Sequence, residues 1–463
     1  MSTKDESSTG LTDKPAGLAA EARSALSRRD FLKATGAGAF AVAGGGLLAA
    51  CGSSGLKGAG GANTKEIVIG YVSPQTGALA EFATPDNFVL GKIRQTSAYK
   101  NGFRIGNKTY KVKIIEVDSQ SDPNRASEVA KQLILNQHVD MVVTSSAPET
   151  TNPVAGACES EGVPCIATVV PWESWYAGLG GDPLKPTTTF KYNSMFFFGV
   201  PEFAGCFIPM WRRISNDGVV AEMFPNDADG NAFRAAWPGI IRSIHYTPVD
   251  GGAYTDGTTD YTSMISLFKQ KNCEIYMNCP LPPDFNTFWK QASQEGYKPK
   301  LATVAKVLLF PPDVVALGSL VNNIATDSWW SPFVPYKSSL DGQSASSLTE
   351  DYQSATGQQW TQAIGSTYSL FEVAKEVFSL ASDPHDRQDV ADKLFKVDYE
   401  GICGPINFGK GPAPGVGIIE PVGVQWKPGR SGKFTDFHYA MYVVDNSLNK
   451  NIPVNATLDP TNA

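Results

Sequence analysis

Short apolar runs alternate with amphipathic helical segments along most of this chain, and this rhythm constrains its fold more than any other feature. Residues 67–72 and 110–117 have the pattern of strands, and Pro123 stands where the next helix should begin. Residues 140–144 and 162–168 have the pattern of two further strands, with a helix between them. Strand, loop and helix in this order predict right-handed βαβ units and a parallel sheet.

A second series of the same units follows farther along the chain. The predicted strands are 219–223, 244–249 and 274–277, and the predicted helices begin at Asn231 or cover 261–271 and 285–295. Two series of units predict an α/β protein with two lobes, each built on a parallel sheet. Two lobes imply a cleft between them, and ligands of parallel sheets bind at the carboxyl ends of the strands.

Composition excludes several classes of function. The chain has 463 residues, of which 18% are charged, and its formal net charge is −7. An acidic chain lacks the basic face that phosphate binding needs, so we expect no nucleic acid partner. The chain has four histidines, none close to another in the sequence: His138, His245, His385 and His438. A histidine-based zinc site is therefore not expected, and we predict no metal and no cofactor.

The first fifty residues have the pattern of an export signal. Arg28 and Arg29 precede an uncharged stretch of mainly Ala, Gly, Val and Leu, which predicts a secretory signal of the twin-arginine type. The stretch ends at Cys51 in a sequence that looks like a bacterial lipobox, so Cys51 is the predicted lipidation site. The alternative, a short transmembrane helix, is disfavoured because five glycines dilute the stretch.

We therefore divide the N-terminus into a signal, residues 1–50, and a lipidated cysteine with a flexible tether, residues 51–65. The rest of the chain should be anchored by its lipid to the outer face of the cytoplasmic membrane, or lie in the periplasm. Six further cysteines show no CxxC spacing, and we expect them to be buried free thiols.

From Glu66 onward the chain resembles the branched-chain amino-acid (leucine/isoleucine/valine-binding-like) type of solute-binding protein of ABC importers. The segments that carry the resemblance are 67–77, 118–126, 150–153, 161–164, 259–261, 291–297 and 404–406. The resemblance implies a type I periplasmic-binding fold, in which two Rossmann-like lobes joined by three crossovers close on a ligand. It also implies a monomer without enzymatic activity, whose partners are a small solute and the permease subunits of an ABC transporter.

The same resemblance implies where the chain passes between the lobes. The crossovers should lie near residues 191–195, 327–332 and 403–410. The expected division is 66–192 plus 330–404 for the first lobe, and 193–329 plus 405–463 for the second.

By resemblance, the first lobe should hold the carboxylate of a ligand at a helix N-terminus. The matching residues are Ser145, Ser146 and Ala147, and local sequence favours Asn152 as a helix cap with Pro153 at the first helical position. A second ligand loop should contain Val169, Pro171 and Trp172, and Phe82 should place an aromatic ring against the ligand. Further aromatic residues are expected at the cleft rim or near a crossover: Trp175, Tyr176, Trp329 and Trp330.

The second lobe departs from the amino-acid pattern. Relatives that bind α-amino acids have an acidic residue for the ammonium group where this chain has Ala305, followed by Lys306. A lysine in the cleft favours an anionic ligand, whereas Asp229 or its neighbour Asp227 could restore a carboxylate for a cation. Leu281 belongs to a further segment expected at the cleft lip. The solute could therefore be an amino acid or a related carboxylate or aromatic compound.

Two other classes of protein share such lobes and such a cleft. A secreted hydrolase with a catalytic serine would normally have a Gly-x-Ser-x-Gly turn, which the sequence lacks. Residues 404–410 have the glycine spacing of a P-loop, but Gly411 replaces the hydroxyl that binds magnesium. We therefore predict no catalytic residues. A ligand-sensing receptor subunit is the second alternative, because only its membrane partner would distinguish it from an importer component.

Overall fold

The computed structural model describes residues 66–461, so the predicted signal, Cys51 and the tether lie outside the described residues. The strands, in chain order, are β1 (Glu66–Ser73), β2 (Phe103–Ile105), β3 (Lys108–Asp118), β4 (Met141–Ser145), β5 (Cys165–Thr168), β6 (Asn193–Phe196), β7 (Val219–Pro225), β8 (Thr247–Tyr254), β9 (Ile275–Asn278), β10 (Leu301–Val304), β11 (Ala325–Ser328), β12 (Asp398–Gly401), β13 (Gly404–Asn407), β14 (Val416–Gly417), β15 (Val422–Pro428) and β16 (Tyr439–Asp445).

The α-helices are α1 (Asp86–Gln95), α2 (Ser97–Asn101), α3 (Pro123–Leu135), α4 (Pro148–Glu161), α5 (Trp172–Gly178), α6 (Val200–Arg213), α7 (Ala228–Ser243), α8 (Thr262–Gln270), α9 (Pro282–Gln294), α10 (Pro311–Leu317), α11 (Ala345–Thr356), α12 (Ala363–Leu380) and α13 (Arg387–Leu394). Two short 3-10 helices cover Ala80–Ala83 and Gly318–Val321. Within residues 66–461, none of the helices combines the length and apolar character that crossing a membrane requires.

The strands form two seven-stranded sheets and one two-stranded hairpin. The first sheet has the order β14-β6-β5-β4-β1-β3-β2, and the second has the order β16-β15-β11-β10-β9-β7-β8. Neighbours in these two sheets are parallel except where β2 meets β3, where β11 meets β15 and where β15 meets β16. The alternation of strands and helices confirms the predicted α/β class with two lobes. The antiparallel strands β2, β15 and β16 lie at or next to the sheet edges and are not part of the predicted βαβ units.

The chain changes sheet three times, but not everywhere that the sequence suggested. It leaves the first sheet after β6, which the expected boundary at residue 193 had assigned to the second lobe. It leaves the second sheet after β11, which ends at Ser328. The third change falls between β14 and β15, so the expected crossover at 403–410 is wrong. Those residues include β13 of the hairpin, and β14 still pairs with β6 of the first sheet, Val416 opposite Met195.

The helix α12 forms the interior of the first lobe. Fourteen of its residues are buried, so it is apolar or uncharged on nearly every face. Its Thr367 hydroxyl donates to the buried carboxylate of Asp86, which also accepts hydrogen bonds from Tyr71 and Ser73. Burial raises the pKa of Asp86 to about 7. The six cysteines within the described part of the chain are buried and free, as expected.

Candidate ligand-binding site

A cavity lies between the two sheets, at the carboxyl ends of their strands. Its empty space, counted together with the solvent at its mouth, measures about 400 Å³. Both lobes contribute to its wall: Phe82, Ala147, Val169, Pro171, Phe197, Phe203, Asp229, Phe233, Cys279, Ala305, Lys306, Leu309, Asp327 and Trp329. Six of the ten residues predicted to bind ligand are among them. A cavity shared by two lobes can close around a ligand that touches both.

The turn from β4 into α4 reaches the first-lobe side of the cavity through Ala147. Ala147 is the N-cap of α4 and makes no side-chain hydrogen bond to the helix. Ser146, Thr150 and Thr151 are buried, and within the described residues their hydroxyl oxygens have no hydrogen-bond partner. An uncapped helix N-terminus with free hydroxyls beside it suits a carboxylate. Ser145, the last residue of β4, is also buried, and neither Ser145 nor Ser146 is among the residues that line the cavity.

The predicted cap at Asn152 is wrong. The helix begins one turn earlier, at Pro148, because proline at the first helical position costs no hydrogen bond. Pro153 lies inside the helix, and Asn152 instead donates its side-chain amide to the carbonyl oxygen of Ser174, 3.1 Å away. Asn152 therefore joins α4 to α5 rather than meeting a ligand.

Aromatic rings form much of the cavity wall. Trp329 packs edge-on against Phe197 with ring centroids 5.0 Å apart, and Phe203 packs against Phe233 at 5.1 Å. Phe82 of the first lobe meets Phe310 of the second at 4.8 Å. The wall therefore suits a ligand with a flat or apolar body, held between rings from both lobes.

The aromatic cluster around α5 does not form the cleft rim that the sequence suggested. Trp175 and Tyr176 are fully buried and pack against Phe190 inside the first lobe. Trp172 is also buried and is not part of the cavity wall. Large rings on a short helix beside a sheet bury more apolar area in the lobe than they could in an open cleft. Leu281, the N-cap of α9, does not line the cavity either.

Lys306 faces the cavity, but its charge is already neutralised. Its Nζ lies 3.0 Å from Asp229, 3.2 Å from Asp227 and 3.1 Å from Glu149. Burial alone would lower the pKa of Lys306, but these carboxylates raise it well above its usual range. Burial raises the pKa of Asp229, while Lys306 opposes that rise. The argument that Lys306 favours an anionic ligand therefore fails, because three carboxylates surround the lysine.

Two residues of the cavity wall have strained backbones. Val169 and Lys306 have φ angles of 63° and 67°, in the left-handed region that residues other than glycine rarely adopt. A β-branched residue such as Val169 is a particular outlier there. Strain of this kind concentrates at functional sites, where surrounding contacts hold the backbone in place.

One known family matches most of the described chain. A family model described as periplasmic binding protein matches residues 66–415. The chain belongs to the periplasmic binding protein family. The family match agrees with the resemblance that the sequence segments indicated, and it accounts for a cavity between two lobes.

Solved structures show that this periplasmic binding protein shares the type I fold. The substrate-binding protein LivJ of the branched-chain amino acid transporter of Streptococcus pneumoniae, in complex with isoleucine, is 17% identical with a TM-score of 0.60, covering 86% of this chain and 100% of its own. The leucine-binding protein LivK of Thermotoga maritima is 15% identical with a TM-score of 0.62, covering 86% and 100%.

A third solved structure has an aromatic ligand. The solute-binding protein of an ABC transporter from Rhodopseudomonas palustris BisB5, in complex with 3,4-dihydroxybenzoic acid, is 16% identical with a TM-score of 0.61. The match covers 83% of this chain and 99% of that one. These likenesses confirm the predicted fold. The family and the three structures are binding proteins rather than enzymes.

The sequence did not predict one charged residue in the cavity of this periplasmic binding protein. Asp327, at the end of β11, is only 1% exposed and lines the cavity. Burial raises its pKa to about 7. The only local signal was a pair of polar residues, Thr326 and Asp327, in a short buried strand just before Trp329. Charged residues are rarely buried without a partner, so this position is an exception that structure alone reveals.

Proposed function

We propose that this chain is the extracytoplasmic solute-binding component of an ABC importer. It captures a small solute that has a carboxylate and an apolar or aromatic body, and it delivers the solute to permease subunits. The observation that supports this most is the uncapped N-terminus of α4, with the free hydroxyl of Ser146 beside it, next to a cavity with aromatic walls from both lobes. Carboxylates bind at such helix ends.

Capture occurs by lobe closure. The open form receives the solute on the first lobe, and the second lobe then moves over it, because the solute makes contacts with both. Direct contacts between the lobes assist the closed form, since Ser174 of α5 donates to Asp229 of α7 at 2.8 Å. The chain acts as a monomer, held by the lipid on Cys51 after export through the twin-arginine route.

A thermal-shift screen of the full-length chain tests solute binding. The screen should contain amino acids, aromatic acids, amides and polyols. A solute at about 100 times its Kd should stabilise the chain by roughly 2.7 kcal/mol. We expect carboxylates with apolar or aromatic bodies to raise the melting temperature. A well-folded chain that no member of the screen stabilises would contradict the proposed function.

Two serines of the same region provide matched variants. Ser146→Ala removes the free hydroxyl beside α4, and we expect the Kd for a bound carboxylate to rise by roughly tenfold or more, as hydrogen bonds to charged groups are strong. Ser160→Ala removes an exposed hydroxyl that bonds only within α4, and should leave the Kd unchanged. Equal Kd values for both variants would remove Ser146 from the site. Uptake of the labelled solute by cells that lack the chain tests the importer role.

A further inference from the structure

Asp327 is a buried carboxylate without a compensating charge. Its side chain accepts hydrogen bonds only from its own main-chain N–H and from the Thr326 hydroxyl, the latter at 3.4 Å. Among residues 66–461, no lysine, arginine or histidine nitrogen lies within 4.0 Å of it. Burying such a group is costly unless a cation is supplied.

The other charges of the cavity wall do not supply that cation. Lys306 is the lysine of the wall, and it pairs with Asp229 at 3.0 Å as well as with Asp227 and Glu149. The wall therefore contains one lysine and two aspartates, and Asp327 is the aspartate left over. The cavity has a surplus of negative charge at the end formed by β11.

The surroundings of Asp327 are otherwise apolar and aromatic. Trp329, two residues away, faces the same cavity as Phe197, Phe203 and Phe233. The negative faces of aromatic rings attract cations, Trp most strongly. The other titratable groups nearby are the thiols of Cys206 and Cys279, whose pKa burial raises well above the usual range, so both stay neutral.

We propose that Asp327 is the subsite for an ammonium group of the solute, primary or alkylated, within this aromatic wall. The proposal rests on the proposed function and narrows its solute class to compounds that have both an amine and a carboxylate. The carboxylate binds at α4 on the first lobe and the ammonium binds at Asp327 on the second. Lys306 has a different role, because it is the internal counter-ion of Asp229.

Matched pairs of solutes test this proposal by calorimetry on the full-length chain. Each pair shares a body and differs in the amine: leucine with 4-methylpentanoate, and phenylalanine with 3-phenylpropanoate; betaine tests an alkylated ammonium. We expect an amine-bearing member of the panel to bind at least tenfold more tightly than its deaminated partner. Because Asp327 must be ionised to bind an ammonium, the affinity for that member should rise roughly tenfold from pH 6 to pH 8.

Variants separate the role of Asp327 from general stability. Asp327→Asn keeps the shape of the side chain and removes its charge, so it should abolish the preference for the amine and the pH dependence, and leave the Kd of the deaminated partner unchanged. Glu222→Gln is the control, because it neutralises another buried carboxyl of the second lobe that does not line the cavity. It should change neither the preference for the amine nor the pH dependence of binding.

Three results would overturn the proposal. The first is a deaminated acid that binds as tightly as its amine-bearing partner. The second is an affinity that falls as the pH rises through 7, because that would mean that a protonated Asp327 donates to an oxygen of the solute. The third is binding of carboxylates without binding of any amine-bearing member. In each case the proposed function still holds, whereas a chain that binds no solute of any class contradicts both.

Discussion

The Nζ of Lys306 lies 3.1 Å from the Oε1 of Glu149, and this ion pair joins the two lobes. Lys306 follows β10 in the second lobe, whereas Glu149 is in the first turn of α4 in the first lobe. The hydrogen bond from Ser174 to Asp229 is a second link across the cleft. The closed form is therefore stabilised by the protein itself as well as by a solute.

Removing the charge of Glu149 should shift the chain toward its open form. Glu149 is 26% exposed, so the pair contributes about 0.5 to 1 kcal/mol, and Glu149→Gln should raise the Kd of the solute roughly two- to fivefold. Small-angle scattering of the solute-free variant should show a larger radius of gyration. The control is Asp351→Asn, which breaks the ion pair of Asp351 with Lys92 within the first lobe. Identical scattering and Kd for Glu149→Gln and the natural chain would contradict the role of this pair.

Gly199 should not tolerate a side chain. It lies in the first crossover, and an added Cβ would collide with Trp172 and with the carboxylate of Glu173. We expect Gly199→Ala to lower the free energy of unfolding by about 1 to 3 kcal/mol. Gly239→Ala is the matched control, since a Cβ at that exposed position of α7 meets nothing within 4 Å. It should stabilise the chain by about 0.5 to 1 kcal/mol. Thermal unfolding measures both, and a stable Gly199→Ala variant would show that the crossover can move aside.

The chain should be more stable at mildly acidic pH than at pH 8. Burial raises the pKa of Glu222 to about 8 and of Asp86, Asp327 and Glu372 to about 7. These groups bind more protons in the folded chain than in the unfolded chain between about pH 4 and pH 8. The free energy of unfolding should therefore fall as the pH rises through this range.

A single variant isolates one of these groups. Both carboxylate oxygens of Glu222 are buried, and no partner for them exists within the described residues. Glu222→Gln should raise the free energy of unfolding at pH 8 by roughly 1 to 3 kcal/mol and have little effect at pH 5. Glu128→Gln, at an exposed position of α3, should change it by less than about 0.5 kcal/mol at either pH. Denaturant unfolding at both pH values measures the difference, and an equal effect of Glu222→Gln at pH 5 and pH 8 would contradict the titration.

Export and anchoring should depend on three residues at the N-terminus. Replacing Arg28 and Arg29 by lysine should leave the chain in the cytoplasm if the twin-arginine route carries it. Cys51→Ser should release the exported chain from the membrane fraction, because the lipid has no attachment site. Cell fractionation and mass spectrometry of the N-terminal peptide measure both effects. A Cys51→Ser chain that stays in the membrane fraction would contradict lipid anchoring.

The fold could be predicted wherever local periodicity is strong. The patterns at residues 67–72 and around Pro123 gave β1 and α3, since both elements bury one regular face. The third crossover could not be placed, because β14 has two residues and its identity depends on pairing with β6 far away in the sequence. Strand pairing over that distance leaves no local signal.

Part of the candidate site could be predicted from the sequence, but its charge pairing could not. Family segments placed Phe82, Ala147 and Val169 near the ligand, and the structure puts them in the cavity wall. The carboxylates that neutralise Lys306 come from the N-terminal ends of two helices, α4 in the first lobe and α7 in the second, so this pairing could not be predicted from the sequence. Asp327 could not be predicted for a related reason. That no cationic side chain among the described residues neutralises it is known only once the chain is folded.

The late position of β14 has a consequence for how the chain is made. The first sheet lacks an edge strand until β14 has been synthesised, and β15 and β16 of the second sheet follow only after that. Neither lobe can therefore finish folding while most of the chain is still emerging from the ribosome, and both present unpaired strand edges until translation is nearly over. The two lobes mature together at the end of synthesis, so a chain truncated before β14 would leave both unfinished and dependent on chaperones.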